Sequence, residues 1–255
     1  MIEIRQFPCL SDNYGYLVRD AGAGAVAAID TPDADAINAA LAREGWRLTH
    51  ILNTHWHPDH AGGNLELKAR WNCRIIGPRG EAAKIPGLDE AVGDGDLVAL
   101  GDARALVLDT PGHTLGHIIY HFAAEGAAFV GDTIFALGCG RLFEGTPAQM
   151  WASLQKIAVM PPQTRLYCAH EYTQANARFA VTVDPDNAAL KRRAADIDAK
   201  RARGEPTVPS SVAEEMATNP FLRARDGALQ RAIGMAGAAP VAAFAEVRRR
   251  KDNFR

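Results

Sequence analysis

The seven-residue stretch 54–60 concentrates side chains that bind metal ions. Its sequence, THWHPDH, supplies three histidines and one aspartate between His55 and His60. Imidazole nitrogens and carboxylate oxygens are the ligands that zinc and similar divalent ions prefer. A histidine-rich surface loop is the alternative, but further ligand-type residues follow later in the chain. The stretch therefore predicts a metal centre of the kind that activates water for hydrolysis.

This stretch is expected to form a loop at the end of a buried strand. The apolar run 51–53 precedes it, and residues 61–63, Ala-Gly-Gly, follow as a tight entry into a helix. Pro58 would remove a backbone donor from a helix interior, so an ordinary helix through the stretch is not expected. Loops at the carboxyl ends of strands commonly carry binding and catalytic residues.

Three later strands are also predicted to end in ligand-type residues. These are His113 after strand 105–108, Asp132 after strand 127–130, and His170 after strand 165–168. Alone, His113 would be interpreted as a loop residue, and Asp132 as a turn or cap residue. Strand ends at one edge of a layered α/β structure converge, so the four matching strand ends favour metal ligation for all of them.

The combined ligand set predicts two metal ions, because a single tetrahedral zinc ion uses fewer ligands. The set comprises His55, His57, Asp59, His60, His113, Asp132 and His170. We assign His55, His57 and His113 to the first ion, since residues two apart in extended backbone point the same way. We assign Asp59, His60 and His170 to the second ion. Asp132 is expected to bridge both ions through its two carboxylate oxygens.

The remaining sequence predicts the elements that position these residues. The expected elements are strands over 1–32, helices over 33–44 and 64–71, loops around one short strand over 78–104, and a helix after the 146–149 capping box. Strand patterns become rare from about residue 174, and a charged helix is predicted over 188–203. We therefore predict a catalytic domain over residues 1–173 and a mainly helical domain over 174–255.

The composition of the whole chain argues against nucleic-acid and membrane partners. The 255 residues carry a formal net charge of −2, whereas dedicated nucleic-acid-binding proteins are usually basic. No apolar run approaches the ~20 residues that span a bilayer, and a signal-peptide pattern is not seen. The four cysteines, Cys9, Cys73, Cys139 and Cys168, do not suggest a disulfide framework. We expect a cytoplasmic monomer that acts on a small molecule.

Four motifs resemble those of the metallo-beta-lactamase superfamily. They are THWHPDHAGG (54–63), TPGHT (110–114), GDT (131–133) and the late His170. The resemblance covers about residues 1–173. It implies an α/β fold, the αββα sandwich with a metal site on one edge.

Further stretches resemble, more narrowly, the glyoxalase II family of hydroxyacylglutathione hydrolases. They are DNY (12–14), GCGR (138–141), FEGT (143–146), AHEYT (169–173), NPFLR (219–223) and the basic RRRKD (248–252). These stretches extend the resemblance over nearly the whole chain. They include the C-terminal helical domain that most members of the superfamily lack.

The glyoxalase II resemblance implies a specific reaction. Its expected substrates are S-2-hydroxyacylglutathione thioesters, typically S-D-lactoylglutathione, and its products are glutathione and a 2-hydroxy acid. This is the second step of methylglyoxal detoxification. A metal-bridging hydroxide is expected to attack the thioester carbonyl, with Asp59 and Asp132 as catalytic residues. Zinc is the expected metal, and iron and manganese are the alternatives.

The same resemblance assigns substrate binding to the C-terminal domain and its neighbouring loops. The implied residues are Arg141, Phe143, Tyr172, Arg248 and Lys251. Many family members have lysine where Arg141 stands, which keeps the charge. Many have tyrosine where Phe143 stands, so one hydrogen bond to the substrate, worth about 1 kcal/mol, is in doubt. The alternatives are a core position for Tyr172 and a solvated helix face for the 248–251 cluster.

Three other functions are compatible with the metal-binding motifs. They are a lactonase or β-lactamase of the same superfamily, a mononuclear iron persulfide dioxygenase, and a non-catalytic metal-binding module. The last would need a closed coordination shell, and a large ligand set without a thiolate argues against it. Asp30 is either a brace for the ligands or a turn residue. His50, His117 and His121 are expected to have ordinary structural roles.

Overall fold

The computed structural model describes residues 1–254, which form two compact units. The first unit comprises Met1–Thr110 and Thr114–Gly131. The second unit comprises the remaining described residues, beginning with Pro111–His113. No helix among the described residues is long and apolar enough to cross a membrane.

A six-stranded mixed sheet forms the N-terminal part of the first unit. Its strands, in spatial order, are β1 (Ile2–Cys9), β2 (Asn13–Asp20), β3 (Val26–Ile29), β4 (His50–Leu52), β5 (Arg74–Pro78) and β6 (Glu90–Val92). The first three strands are antiparallel, and β3 to β6 are parallel. The carboxyl ends of parallel neighbours meet at one edge, so Asp30 after β3 lies beside the 54–60 stretch after β4.

Two helices cover this sheet, as the sequence predicts. Helix α1 (Ala34–Glu44) begins after Asp33, whose side chain accepts a hydrogen bond from the Ala36 amide. Helix α3 (Asn64–Trp71) has the predicted bounds. Their apolar sides join the strands in one buried cluster that includes Ile37, Leu41, Ile51, Leu67 and Ile75.

The predicted loop at 54–60 is wrong in its second half. Residues Pro58–Ala61 form a short helix, α2, with Pro58 at its first turn. The missing N–H of proline removes no intrahelical bond at that position, and its fixed φ suits a helix start. Asp59 and His60 therefore project from a helical turn rather than from extended backbone.

The second half of the first unit is an antiparallel set of strands. Their order is β10 (Ala127–Gly131), β9 (Ile118–Phe122), β8 (Ala103–Asp109) and β7 (Leu97–Leu100). The prediction of one short strand over 78–104 is wrong, because β6, β7 and the start of β8 all lie there. A tight turn around Gly95, with φ +86, separates β6 from β7. The Gly and Asp residues of this turn interrupt the apolar pattern, so the short strands on either side of it are not recognisable from the sequence.

The second unit is mainly helical. Its strands are β11 (Ile134–Phe135), β12 (Gly138–Cys139), β13 (Arg165–Cys168) and β14 (Ser210–Ser211). Its helices are α4 (Pro147–Ala158), α5 (Thr173–Val183), α6 (Ala188–Ala202), α7 (Val212–Thr218), α8 (Gly227–Ala232) and α9 (Pro240–Asp252). The predicted capping box between Thr146 and Gln149 starts α4. A buried cluster that includes Leu137, Ala180 and Leu190 fixes α5 and α6.

Candidate metal centre and substrate-binding residues

The first unit brings three histidines together directly after β4. The Nε2 atom of His55 lies 3.0 Å from Nδ1 of His57, and the ring centroids of His55 and His60 are 4.0 Å apart. His55 and His60 are buried. His117 stacks on the His55 ring at 4.7 Å and is itself fixed by Thr110 at 3.1 Å. His117 therefore braces the cluster, consistent with a structural role.

Asp30 is a brace for this cluster, which decides between the two roles left open for it. Its Oδ1 atom accepts the Thr54 amide at 2.7 Å, and its Oδ2 atom accepts the Thr54 hydroxyl at 2.8 Å. The same Oδ2 atom lies 2.8 Å from Nδ1 of His60. A carboxylate only accepts, so Nδ1 carries the proton and the His60 lone pair is on Nε2. Buried carboxylates that orient metal-binding histidines act in this way.

The α2 turn places Asp59 beside His60. The Oδ2 atom of Asp59 lies 3.6 Å from Nε2 of His60, and it accepts a hydrogen bond from Asn13 at 3.2 Å. The Asp59 side chain is 39% exposed, whereas that of His60 is 1% exposed. Asn13 belongs to the DNY stretch, which therefore has a positioning role near the ligand cluster.

Glu81 is a further positioning residue, and no sequence motif indicates it. It is 3% exposed, and its Oε2 atom accepts the amide of Trp56, between His55 and His57, at 2.9 Å. Its Oε1 atom accepts the Gly116 amide at 3.1 Å. Both partners are distant in the chain, so no local pattern marks this glutamate.

The second unit holds Asp132 between two histidines. The Oδ2 atom of Asp132 lies 3.3 Å from Nε2 of His113, and its Oδ1 atom lies 3.5 Å from Nε2 of His170. All three side chains are buried. His113 is oriented by a contact of its Nδ1 atom with the Arg141 carbonyl at 2.9 Å, so its lone pair is on Nε2.

These separations fit metal ligation better than hydrogen bonding. An N–H···O bond usually spans ~2.9 Å, whereas a nitrogen and an oxygen bound tetrahedrally to one zinc ion lie roughly 3.3 Å apart. The nitrogen-to-oxygen distances at His60, His113 and His170 are 3.6, 3.3 and 3.5 Å. Asp132 also turns a different oxygen to each of its histidines.

Every ligand residue predicted from the sequence belongs to a group of side chains that could hold a metal ion. These residues are His55, His57, Asp59, His60, His113, Asp132 and His170. Their donors are imidazole nitrogens and carboxylate oxygens, so the chemistry of the set suits divalent metal ions.

Two glycines explain parts of the GDT and GCGR motifs. Gly131 has φ +47, and a Cβ atom there would lie 2.6 Å from the Thr54 hydroxyl. A Cβ atom at Gly140 would collide with the Asp132 carbonyl and lie 3.0 Å from Nδ1 of His113. Both positions need glycine because the backbone there passes so close to Thr54, Asp132 and His113.

Two aromatic side chains of the second unit lie against His113 and His170. Tyr172 stacks on His170 with ring centroids 4.6 Å apart, and it remains 37% exposed. Phe143 meets His113 edge-on at 5.2 Å and is 61% exposed. A core position for Tyr172 is therefore wrong, and both rings have exposed surface.

The basic cluster of α9 is not simply a solvated helix face. Arg248 is 5% exposed; it donates to the Cys139 carbonyl at 3.0 Å and pairs with Asp252 at 2.7 Å. Lys251 is only partly exposed, and it donates to the Ala175 carbonyl at 3.3 Å.

The Lys251 side chain loses its positive charge at a lower pH than an ordinary lysine does. Burial, followed by the positive charges of Arg248, Arg178 and Arg141, lowers its pKa to about 8, and Asp252 opposes part of this shift. Lys251 and these three arginines thus lie near one another in the second unit. Their combined positive charge favours the binding of an anionic ligand.

Two family models match successive parts of the chain. Residues 14–170 match the family model "Metallo-beta-lactamase superfamily", and residues 171–254 match "Hydroxyacylglutathione hydrolase C-terminus". The structure of the BLEG-1 B3 metallo-beta-lactamase has a TM-score of 0.67 at 21% identity, covering 87% of this chain and 99% of that one. That likeness shows a shared fold. The α/β fold and the histidine and aspartate set thus define a member of the metallo-beta-lactamase superfamily.

Two relatives resemble the chain over its length. The hydroxyacylglutathione hydrolase of Hyphomonas neptunium is 58% identical over 254 residues, covering 100% of this chain and 99% of that one. The protein of the same name from Maricaulis maris is 56% identical over 251 residues, covering 98% of each. The chain therefore belongs to the hydroxyacylglutathione hydrolase family, and the predicted fold class and family are confirmed.

Asp30→Asn should weaken metal binding. The amide group would present a donor to Nδ1 of His60, which favours the tautomer with its proton on Nε2 and removes the lone pair that binds metal. We expect an affinity for zinc about 10–100-fold lower, measured by competition with a chromogenic chelator. Asp89→Asn is the matched control, because Asp89 also accepts a buried backbone amide, that of Ile75. Unchanged zinc affinity in Asp30→Asn would refute the bracing role.

Proposed function

We propose that the protein hydrolyses S-2-hydroxyacylglutathione thioesters, typically S-D-lactoylglutathione, to glutathione and a 2-hydroxy acid. The observation that carries this proposal is the placement of exposed aromatic rings on His113 and His170, in the unit that also holds a cationic cluster. A thioester of an anionic tripeptide needs both features. The full-length relatives named hydroxyacylglutathione hydrolase support the same substrate class.

We propose that the ligand set holds two divalent ions, with zinc as the first choice. The proposed ligands are His55, His57, Asp59, His60, His113, Asp132 and His170. Asp132 is proposed as the bridge, because its two oxygens face two different imidazoles. When bound, such ions lower the pKa of water towards neutrality and stabilise negative charge on a carbonyl oxygen.

The protein's own residues orient the reactants. Asp59 is held by Asn13 and is partly exposed, so it can accept a hydrogen bond from the attacking water and align it with the thioester carbonyl. Asp132 is fixed between two imidazoles. These aspartates are the proposed catalytic residues.

The cysteines do not supply an alternative nucleophile. Burial raises the pKa of Cys9 and Cys168 to about 12, and that of Cys139 to about 11. Burial also raises the pKa of Cys73. At neutral pH these side chains are therefore thiols rather than reactive thiolates. All four are free, and a reducing cytoplasm stays the predicted compartment.

We propose that the second unit recognises the glutathione part of the substrate. Arg141 and Lys251 would attract its carboxylates, and Tyr172 and Phe143 would pack against its peptide and thioester parts. Phe143 contributes surface without a hydroxyl group, so backbone amides nearby would supply that polar contact. Arg248 is proposed to complete the positive field. The proposed functional division is a catalytic domain over 1–173, whose loops contribute Arg141, Phe143 and Tyr172, and a glutathione-binding domain over 174–255, which contributes Arg248 and Lys251.

A comparison of substrates tests this proposal. The purified protein, with its metal content measured, should hydrolyse S-D-lactoylglutathione, followed as loss of thioester absorbance. A chromogenic cephalosporin and an acyl-homoserine lactone should be turned over at least ~100-fold less efficiently, because they lack the glutathione carboxylates. Failure to hydrolyse the thioester with metal bound would sink the proposal.

The bridging role predicts a difference between two ligand variants. Asp132→Ala should disturb both ions, whereas His57→Ala should mainly disturb one, because only Asp132 is proposed to contact both. Metal bound per chain, measured by elemental analysis after dialysis, reports the difference. Loss of the same single equivalent from both variants would contradict the bridge.

The lowered pKa of Lys251 predicts pH-dependent binding. Lysine with a pKa of about 8 is charged below that pH and neutral above it, so KM should rise by roughly fivefold between pH 7 and pH 9. The substrate's carboxylates keep their charge across this range. Lys251→Arg should remove most of the rise, and Lys251→Met should give a high KM throughout. A wild-type KM that does not change would show that Lys251 does not bind substrate; spontaneous thioester loss at each pH is the blank.

A further inference from the structure

A short buried hairpin joins the proposed bridging residue to the proposed substrate-binding loop. The 134–139 hairpin consists of β11, a turn and β12, with Asp132 two residues before it and Arg141 two residues after it. Leu137, at the turn, has φ +58 and is fully buried. The pairing of two such short strands leaves several backbone N–H and C=O groups without a partner inside the hairpin, and buried groups of this kind need partners from elsewhere.

Side chains from the C-terminal helical region hydrogen-bond this backbone at five consecutive residues. Asn219 donates to the carbonyls of Phe135 and Gly138, at 3.2 and 3.0 Å. Asn176 donates to the Ala136 carbonyl at 3.1 Å, and Arg248 donates to the Cys139 carbonyl at 3.0 Å. Glu215 accepts a hydrogen bond from the Leu137 amide at 3.0 Å. These four side chains are all buried. The hairpin conformation therefore depends on side chains far along the chain.

Asn219 and Glu215 form the centre of this arrangement. Asn219 donates to Glu215 at 3.0 Å, and Glu215, which is fully buried, is paired with Arg193 at 2.5 Å. The Asn219 side chain also accepts the Phe221 amide at 3.0 Å, which fixes its orientation. These contacts explain the asparagine of the NPFLR stretch. Asn219 is neither a proposed metal ligand nor a proposed substrate-binding residue.

The hairpin is coupled to the ligands at its far end. Nδ1 of His113 contacts the carbonyl of Arg141, and the amide of Gly140 donates to the carbonyl of Thr133 at 3.4 Å. A shift of the hairpin would therefore move the group that orients His113 and the backbone next to Asp132. The absence of a Cβ atom at Gly138, where one would lie 2.5 Å from Asn176, lets the helices approach this closely.

We propose that Asn219 and Glu215 are positioning residues for hydrolysis. They hold the 134–139 hairpin so that Asp132 and the Arg141 carbonyl keep the geometry that His113 requires. The proposal rests on the proposed thioesterase function. It also gives the C-terminal helices a role in the chemical step, in addition to substrate binding.

Asn219→Asp is the most direct test, because it keeps the size and the Phe221 contact while replacing the donor with an acceptor. We expect the Leu137 amide to exchange with deuterium at least about tenfold faster, with the amides of α6 unchanged. We expect kcat for S-D-lactoylglutathione to fall at least about tenfold. KM should change by a smaller factor than kcat, because Tyr172 and Lys251 lie outside the hairpin and only Arg141 and Arg248 among the proposed substrate-binding residues adjoin it.

Asn187→Asp is the matched control. Asn187 caps α6 and donates to Asp184 and the Ala217 carbonyl, so the same substitution removes comparable bonds in the same unit, none of them to the hairpin backbone. It should leave kcat and the Leu137 exchange rate unchanged. If Asn219→Asp does not fold, Asn176→Asp, which removes a single bond to the hairpin, should give the same pattern with a smaller change.

Three results would overturn the proposal. They are faster Leu137 exchange with unchanged kcat, a fall in kcat with Leu137 still protected, and a loss confined to KM. A wild-type protein that binds metal but hydrolyses no glutathione thioester would instead refute the proposed function. In that case the exchange rates would still show whether Asn219 holds the hairpin.

Discussion

Each imidazole that binds a metal ion must present a lone pair on one nitrogen, so its other nitrogen must donate a hydrogen bond. His60 meets this requirement through Asp30, and His113 meets it through the Arg141 carbonyl. In both cases the partner only accepts, which fixes the tautomer before any metal binds. The surrounding structure serves to keep these two acceptors in place.

The two acceptors are held by different means. Asp30 follows β3 in a left-handed conformation, φ +56, and is locked by the backbone and hydroxyl of Thr54. The Arg141 carbonyl follows a hairpin whose backbone is satisfied by side chains of the C-terminal helical region. The parallel sheet therefore fixes the Asp30 carboxylate. The region that matches the hydroxyacylglutathione hydrolase C-terminus supplies the side chains that hold the hairpin before the Arg141 carbonyl.

The sequence predicted what is encoded locally. The ligand residues lie in short motifs, and strands of apolar residues precede them, so their chemistry and their place at strand ends could be inferred. The alanine- and leucine-rich stretch 33–44, with charged residues between, predicted a helix, and α1 spans Ala34–Glu44. In contrast, Pro58 predicts a break in any helix through the 54–60 stretch, although at the first turn of α2 it favours the helix.

Features that depend on distant partners could not be inferred. Glu81 contacts the amide of Trp56, 25 residues away, and Arg248 contacts the Cys139 carbonyl, 109 residues away. Nothing beside either residue in the chain indicates that it is buried. The bridging of two ions by Asp132 remains a proposal, supported by the orientation of its two oxygens.

Stepwise reconstitution with zinc tests the central claim most directly. The metal-stripped protein would be titrated with zinc, and bound metal and hydrolysis of S-D-lactoylglutathione would be measured on the same samples. The proposed site predicts saturation at two equivalents per chain, with full activity only when both are bound. Saturation at one equivalent with full activity, or activity without metal, would contradict it.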